Sequence, residues 1–155
     1  MLPFDRLIEL ADNWAARHPD VHIFAQTGGG KYIPKHFSFS EMVSPHEYRR
    51  HIQESDIVLS HVGMGTVLSA SELNRPLVCM PRRKELGEVT SDHQTATAGW
   101  ISKMRGIFLF EDAGELDKAI DTAYSSRKSF QSESTDRAQL VRFVHSFLTD
   151  AVSSK

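Results

Sequence analysis

The sequence predicts an α/β fold, a Rossmann-like parallel sheet with helices on both faces. Short apolar runs of strand length alternate along the chain with segments whose apolar residues recur every three to four positions. Glycines or polar residues follow directly after several of these runs. Strands that alternate with helices favour parallel pairing. With 155 residues, the chain has room for one domain with a proper core.

The first half of the chain begins with a helix. It is predicted at Pro3–Arg17, where the apolar residues have helical spacing, with Asp5 as its candidate cap. Two short apolar runs, Val21–Ala25 and Phe37–Phe39, are predicted strands. A serine–proline pair, which is a favourable helix start, then leads into a second helix at Glu47–Glu54.

The second half repeats the alternation. The apolar runs predicted to be strands are Asp56–Ser60, Pro76–Met80 and Ile107–Phe110. The segments predicted to be helices are Val67–Leu73, Asp92–Lys103, Ala113–Tyr124 and Arg137–Val152. The serine-rich stretch Ser125–Ser134 is predicted to be a loop or linker. We expect a single domain over residues 1–152 and a disordered tail at 153–155.

Composition narrows the classes of function. The formal net charge is −2, so we do not expect a nucleic-acid-binding surface. Cys79 is the single cysteine, which excludes an internal disulfide and argues for a buried small hydrophobe rather than a zinc ligand. No apolar run approaches the roughly 20 residues that span a bilayer, and no secretion signal is recognisable. A cytoplasmic protein is therefore expected.

A glycine-rich turn joins the strand at Asp56–Ser60 to the helix at Val67–Leu73. Its sequence is Ser60-His61-Val62-Gly63-Met64-Gly65-Thr66. A strand that breaks at glycines and restarts as a helix directs unpaired N–H groups at one spot, where the helix dipole also favours negative charge. The turn therefore predicts a phosphate site, with an ordinary tight strand-to-helix turn as the alternative.

These motifs resemble the glycosyltransferase family 28 C-terminal domain, the donor-binding half of GT-B sugar transferases. The family pattern is a strand, His-x-Gly-x-Gly-Thr, a helix, a Lys/Arg-Pro strand that ends in proline, and an Asp-x-Gln type motif. The matching residues are His61, Gly63, Gly65, Thr66, Pro76, Pro81, Asp92, His93 and Gln94. Gln26-Thr27-Gly28 and Phe4-Asp5-Arg6-Leu7 are similar to an earlier strand-end motif and to the first helix of the family.

The sequence departs from the family pattern at two places. The family has a strand that ends in Gly-Thr just before the first helix, and the sequence lacks it, so we expect the sheet to be without its usual first strand. Many members hold the donor ribose with a glutamate seven residues before the proline, and Ser69 occupies that position here. Glu72 lies almost one helical turn further on.

The resemblance implies a site for a nucleotide-sugar donor. The expected donor-binding residues are glycines and polar groups after the strands: Gln26, Thr27, Gly28, His61, Gly63, Met64, Gly65, Thr66, Arg82, Arg83, Glu88, Asp92, His93 and Gln94. The arginines would neutralise phosphate or clamp the carboxylate of an acidic sugar. His61 is the one candidate for a catalytic role, and the base is otherwise unknown. We expect no metal and no cofactor, because the helix terminus and arginines can neutralise the diphosphate.

The implied function is a UDP-sugar-dependent hexosyltransferase subunit in bacterial exopolysaccharide or capsule biosynthesis. A membrane-associated partner would bind a lipid-linked saccharide acceptor and hold the base, which places this chain at the inner face of the plasma membrane. Trp100 and Phe130 are candidate contributors to the partner interface. A catalytically silent nucleotide-binding or regulatory subunit is the alternative, and half of a nucleotide-sugar epimerase is a third hypothesis. A homodimer is left open.

Overall fold

The structure is a computed structural model that describes residues 2–89, 101 and 104–132. The helices within these ranges are α1 (Asp5–Ala15), α2 (Pro45–Glu54), α3 (Met64–Glu72), the short 3-10 helix Lys84–Leu86 and α4 (Ala113–Ser132). The strands are β1 (Phe24–Gln26), β2 (Ser38–Ser40), β3 (Val58–His61), β4 (Leu77–Met80) and β5 (Ile107–Leu109). Residues 90–100, 102–103 and 133–155 lie outside the described residues. They include the predicted helix Arg137–Val152, the tail, and all of the predicted helix Asp92–Lys103 except Ile101.

The described strands form two parallel sheets. One contains β1 and β2, with Ala25 opposite Phe39. The other has the order β3-β4-β5, with Cys79 opposite both Ser60 and Leu109. Every pair is parallel, which confirms the predicted class. Among the described strands, β1 pairs with β2 alone and β3 pairs with β4 alone, so each leaves one edge without a partner strand.

Strand β4 is buried on both faces. Val78 and Met80 face a core cluster to which α1 and α4 contribute, whereas Leu77 and Cys79 face a second cluster that includes Val67 of α3. This division follows the two-residue period of a strand. Helices therefore cover both faces of the three-stranded sheet, as the sequence predicts.

Helices also connect the two sheets. Ile23, just before β1, and Leu59 of β3 both pack against the cluster that contains Leu7 and Trp14 of α1. On α2, the His51 ring stacks on Phe24 of β1 with 4.1 Å between the ring centroids. Side-chain packing, rather than a ladder of backbone hydrogen bonds, joins β1 to β3 in the described part of the chain.

The serine-rich stretch after Tyr124 is helical, so the predicted loop at Ser125–Ser134 is wrong as far as Ser132. The reason is that these serines bond to the preceding helical turn: Ser126 Oγ donates to the Ala123 carbonyl (2.8 Å). Arg127 adds a contact with the Tyr124 ring, 3.4 Å from its centroid. A serine whose hydroxyl bonds to the preceding turn has a partner there and can remain within a helix.

All five described strands differ by one to three residues at one end or both from the sequence prediction; β3, for example, occupies Val58–His61 rather than Asp56–Ser60. β1 begins at Phe24 because Val21 is still in a turn, in which its N–H donates to the His18 carbonyl (3.1 Å). β2 is displaced by one residue and occupies Ser38–Ser40. In contrast, the serine–proline helix start is confirmed, since Ser44 and Glu47 form a capping box at the start of α2.

No helix in the described part of the chain is long and apolar enough to cross a membrane.

The single cysteine provides a simple test of the core. Cys79 has no exposed surface, and burial raises the pKa of its thiol to about 12. We expect the native protein to resist a thiol-specific colorimetric reagent at pH 8, because the reacting species is the thiolate. The same reagent should modify one thiol per chain after unfolding in guanidinium. Rapid stoichiometric reaction of the native protein would contradict this packing.

Candidate functional site

The glycine-rich turn after β3 forms the start of α3. Gly63 is the N-cap residue with an extended backbone (φ −115°, ψ 127°), and none of the side chains that the structure describes caps the helix. Helix α3 begins at Met64, three residues earlier than predicted, so Met64, Gly65 and Thr66 form its first turn. The N–H groups of a first turn have no partner within the helix. They therefore remain available to an anion beside the end of β3.

The side chain of His61 lies against this turn. Its backbone carbonyl accepts the Gly63 N–H (2.8 Å), and a Cβ atom at Gly63 would lie only 2.4 Å from His61 Nε2. The absence of a side chain at Gly63 is what allows the imidazole to occupy this position. Burial lowers the pKa of His61, and the nearby charge of Arg82 lowers it further. The ring is consequently neutral at pH 7 and can accept a proton or a hydrogen bond.

The hydroxyl of Thr66 is held in place from α2. Tyr48 Oη donates to Thr66 Oγ1 (3.0 Å). Because a hydroxyl is both a donor and an acceptor, Thr66 can still donate its own hydrogen to a ligand. A Cβ atom at Gly65 would meet nothing within 4 Å, so the turn faces open space there. Sequence reasoning missed Tyr48, because nothing local links it to a residue 18 positions away.

Arg82 and Arg83, which follow β4, have different surroundings. Arg82 donates to the carbonyls of Leu2 (3.1 Å), Pro3 (2.9 Å) and Glu88 (2.8 Å). Arg83 is half-exposed and lies 3.5 Å from Glu111 Oε2. The guanidinium of Arg82 is thus committed to the protein, whereas that of Arg83 is paired only at the surface.

Glu88 is nearly buried and also bonds within the protein. Its carboxylate accepts from Arg6 Nε (2.9 Å) and Nη2 (2.8 Å), and from the Arg83 N–H (2.7 Å). Burial raises the pKa of Glu88, but the Arg6 hydrogen bond, the Arg83 N–H and the two arginine charges lower it more, so the net pKa is lowered. Arg6 is a second residue that sequence reasoning missed, since it lies 82 positions from Glu88.

The Gln26-Thr27-Gly28 motif is bonded to the segment after β2. Gln26 Oε1 accepts the Val43 N–H (3.2 Å), Thr27 Oγ1 donates to the Ser40 carbonyl (3.4 Å), and the Gly28 N–H donates to the Glu41 carbonyl (2.9 Å). Gly28 has a φ of +62°, which favours glycine. These contacts fix the turn at the end of β1.

Asp5 does not cap its own helix, contrary to expectation. Phe4 is the N-cap residue of α1, and no side chain caps it. Asp5 Oδ1 instead accepts the N–H groups of Lys31 (2.9 Å) and Tyr32 (3.2 Å). These two N–H groups, rather than those of the first turn of α1, are the partners of the carboxylate. Asp5 thereby attaches the loop after β1 to the start of α1.

The start of α1 is the meeting point of the predicted site. Asp5 holds the glycine loop after β1 and Arg6 holds the loop after β4. The carbonyls of Leu2 and Pro3 hold Arg82, which follows β4 two residues after Met80, the residue opposite His61 in the sheet. Asp92, His93, Gln94 and Trp100 lie outside the described residues, as does the side chain of Phe130. Within the described residues, no group of three His, Cys, Asp or Glu side chains could hold a metal ion.

A cavity of about 350 Å³ lies between α1 and the start of α4. It is lined by Arg6, Leu10, Met80, Arg83 and Asp112, among others. Arg83 is the one predicted donor-binding residue in that lining, and no residue of the glycine turn after β3 contributes to it.

The chain is similar to known proteins in sequence and in fold. The sequence profile of the glycosyltransferase family 28 C-terminal domain matches residues 2–147. The UDP-N-acetylglucosamine transferase subunit ALG13 of Mus musculus is 30% identical over 92 residues, which are 56% of this chain and 8% of ALG13. The crystal structure of the glycotransferase of kitacinnamycin has a TM-score of 0.52 at 16% identity, over 88% of this chain and 38% of that one. This structural likeness confirms the fold, and the chain spans well under half the length of either relative.

Proposed function

Since this chain belongs to the glycosyltransferase family 28 C-terminal domain family, we propose that it binds the UDP-sugar donor of a glycosyltransferase reaction. In that reaction an acceptor oxygen attacks the anomeric carbon, and the bond from this carbon to the diphosphate breaks. Negative charge accumulates on the departing diphosphate. Hydrogen-bond donors that are already directed at this charge lower the barrier.

The observation that carries the proposal is the uncapped start of α3 beside the supported hydroxyl of Thr66. The N–H groups of Met64, Gly65 and Thr66 and this hydroxyl can donate to a diphosphate without rearrangement of the turn. His61 can add a hydrogen bond to a phosphate or sugar oxygen, because its ring is neutral and lies against Gly63. Asp92, His93 and Gln94 remain candidates for the sugar hydroxyls.

We further propose that the chain acts as a subunit. The relative ALG13 is by its name a subunit of a UDP-N-acetylglucosamine transferase, which supports both a UDP-sugar donor and a partner chain. The partner would be associated with the membrane, bind a lipid-linked saccharide acceptor and hold the base. Bacterial exopolysaccharide or capsule biosynthesis is the context that we propose.

One observation favours a catalytically silent nucleotide-binding or regulatory subunit instead. Ser69 stands where many family members have the ribose-binding glutamate, and its hydroxyl donates to the Gly65 carbonyl (2.9 Å) within α3. A carboxylate is therefore missing at this position. The acceptor-transfer assay below separates the two functions.

The proposed donor site predicts the effect of removing one hydroxyl. We expect Thr66→Val to weaken UDP binding about tenfold or more, because a hydrogen bond to a charged group contributes about 1.5–3 kcal/mol. Thr122→Val, at an exposed threonine whose hydroxyl bonds to the Lys118 carbonyl within α4, is the matched control and should bind UDP as the wild type does. Isothermal titration calorimetry measures both affinities. A wild-type protein that does not bind UDP would refute the donor site.

Transfer activity tests the catalytic part of the proposal. The complex with the membrane-associated partner should transfer sugar from a UDP-sugar, and His61→Ala and Asp92→Ala should each reduce the rate. Equal activity of both variants and the wild-type complex would remove the catalytic role of this chain and favour the silent subunit.

A further inference from the structure

We propose that Arg6 and Glu88 are positioning residues, which fix the loop Pro81–Glu88 so that the Arg82 charge is held beside His61, the residue that leads into the glycine turn Gly63–Thr66. The inference rests on the proposed donor site, and it assigns to Glu88 a role other than contact with the sugar. It also gives a role to Arg6, which lies on α1 rather than at a strand end.

The Arg6–Glu88 pair ties three points of this loop together. Arg6 donates twice to the Glu88 carboxylate, and its Nη2 also donates to the carbonyl of Pro81 (2.8 Å). The same carboxylate accepts the N–H of Arg83 (2.7 Å). The first, third and last residues of the loop are thus bonded to one ion pair. Since Arg6 belongs to α1, the pair also sets the distance between the loop and that helix.

Arg82 depends on this arrangement for its own position. Its guanidinium is bonded to the Glu88 carbonyl, which closes the loop, and to Leu2 and Pro3, which lead into α1. The guanidinium also lies over the ring of Phe4, 4.6 Å from its centroid. All of these contacts belong either to the loop or to the start of α1. A change in how the two are joined must therefore move the Arg82 charge.

The burial of the pair makes it different from an ordinary surface ion pair. The side chains of Arg6 and Glu88 are 22% and 9% exposed. Removal of one partner leaves the other charge poorly solvated, so the loop has to rearrange. Arg17 and Asp117, at the other end of α1, form a pair that is 56% and 43% exposed and provides a matched control.

The pKa of His61 reports the position of Arg82 without any ligand. Met80 lies opposite His61 in the sheet, so the chain carries Arg82 out of β4 close to the end of β3. Among the described residues, Arg82 is the charged group that shifts the pKa of His61, which it lowers in addition to the effect of burial. In Glu88→Gln, loss of the negative charge by itself would lower the pKa of His61 or leave it unchanged. Displacement of Arg82 would raise it toward the ordinary value of 6.5. The sign of the change therefore distinguishes positioning from direct electrostatics.

The experiment compares the full chain with Glu88→Gln, Arg6→Gln and the control Arg17→Gln. NMR titration of the His61 ring should show a raised pKa in the first two variants and no change in the control. Calorimetry should show about tenfold weaker UDP binding in the first two, which corresponds to about 1.4 kcal/mol. Circular dichroism establishes whether each variant is folded. If one of the first two is unfolded, Arg6→Lys takes its place, because lysine keeps the positive charge but cannot make the bidentate contact with Glu88.

A lowered or unchanged His61 pKa in folded Glu88→Gln and in the Arg6 variant would overturn the positioning role. If the wild type binds no UDP, the proposed donor site is refuted, while the ligand-free titration still decides whether the pair positions Arg82. The two failures are thus separable.

Discussion

Replacement of Asp12 by alanine is expected to lower the free energy of unfolding by about 3 kcal/mol, because it removes a buried carboxylate and leaves three part-buried donors without their acceptor. Asp12 is 1% exposed. Its Oδ1 accepts the N–H groups of Lys35 (2.9 Å) and His36 (2.8 Å), and its Oδ2 accepts from Tyr32 Oη (2.9 Å). Urea unfolding measures the change, and Asp20→Ala, at an exposed aspartate after α1, is the control.

The effect of Asp12 should also depend on pH. Burial raises the pKa of Asp12, but the His36 and Lys35 N–H groups and the Tyr32 hydroxyl lower it more, so the net pKa lies below 3.8. A carboxylate with a lowered pKa stabilises the fold above its unfolded pKa, and this contribution is lost as the pH falls through the folded value. The difference between wild type and Asp12→Ala should therefore shrink below about pH 4. A difference that stays constant with pH, or matches that of Asp20→Ala, would contradict the assignment.

Gly63→Ala is expected to weaken UDP binding about tenfold or more and to lower stability by about 1–3 kcal/mol, as overpacking does. The new Cβ would lie 2.4 Å from His61 Nε2, so the imidazole or the turn has to move. Either movement misaligns the donors at the start of α3. Calorimetry and thermal unfolding measure the two effects.

Gly65→Ala is the matched comparison for stability. Its Cβ would meet no atom within 4 Å, and alanine is favoured over glycine within a helix by about 1 kcal/mol. We expect this variant to be at least as stable as the wild type. A Gly63→Ala protein with the stability, UDP affinity and His61 NMR signals of the wild type would show that the close approach has no functional importance.

The parts of the fold that sequence could predict are those with a local physical cause. The continuous apolar run of β4, the serine–proline start of α2 and the glycines after β3 each determine their own geometry over a few residues. The continuation of α4 was missed because serine is a poor guide to structure when its hydroxyl can bond to the preceding turn.

The candidate site is only partly predictable for the same reason. His61 and the turn from Gly63 to Thr66 are contiguous, so their chemistry is visible in the sequence. The groups that support them come from distant positions: Tyr48 bonds to Thr66, and Arg6 bonds to Glu88. A tertiary contact of this kind leaves no local pattern in the sequence. For this reason the sequence predicts Glu88 as a donor-binding residue, whereas in the structure its carboxylate accepts hydrogen bonds from Arg6 and Arg83.

The separation of the strands into two sheets has a mechanical consequence. The glycine turn after β1 and the glycine turn after β3 stand on different sheets, and in the described part of the chain they are connected by packed side chains and by side-chain hydrogen bonds through α1, not by a ladder of backbone hydrogen bonds. We therefore expect the distance between the two turns to change more easily than distances within either sheet. A polypeptide segment that paired as a strand with the free edges of β1 and β3 would fix that distance.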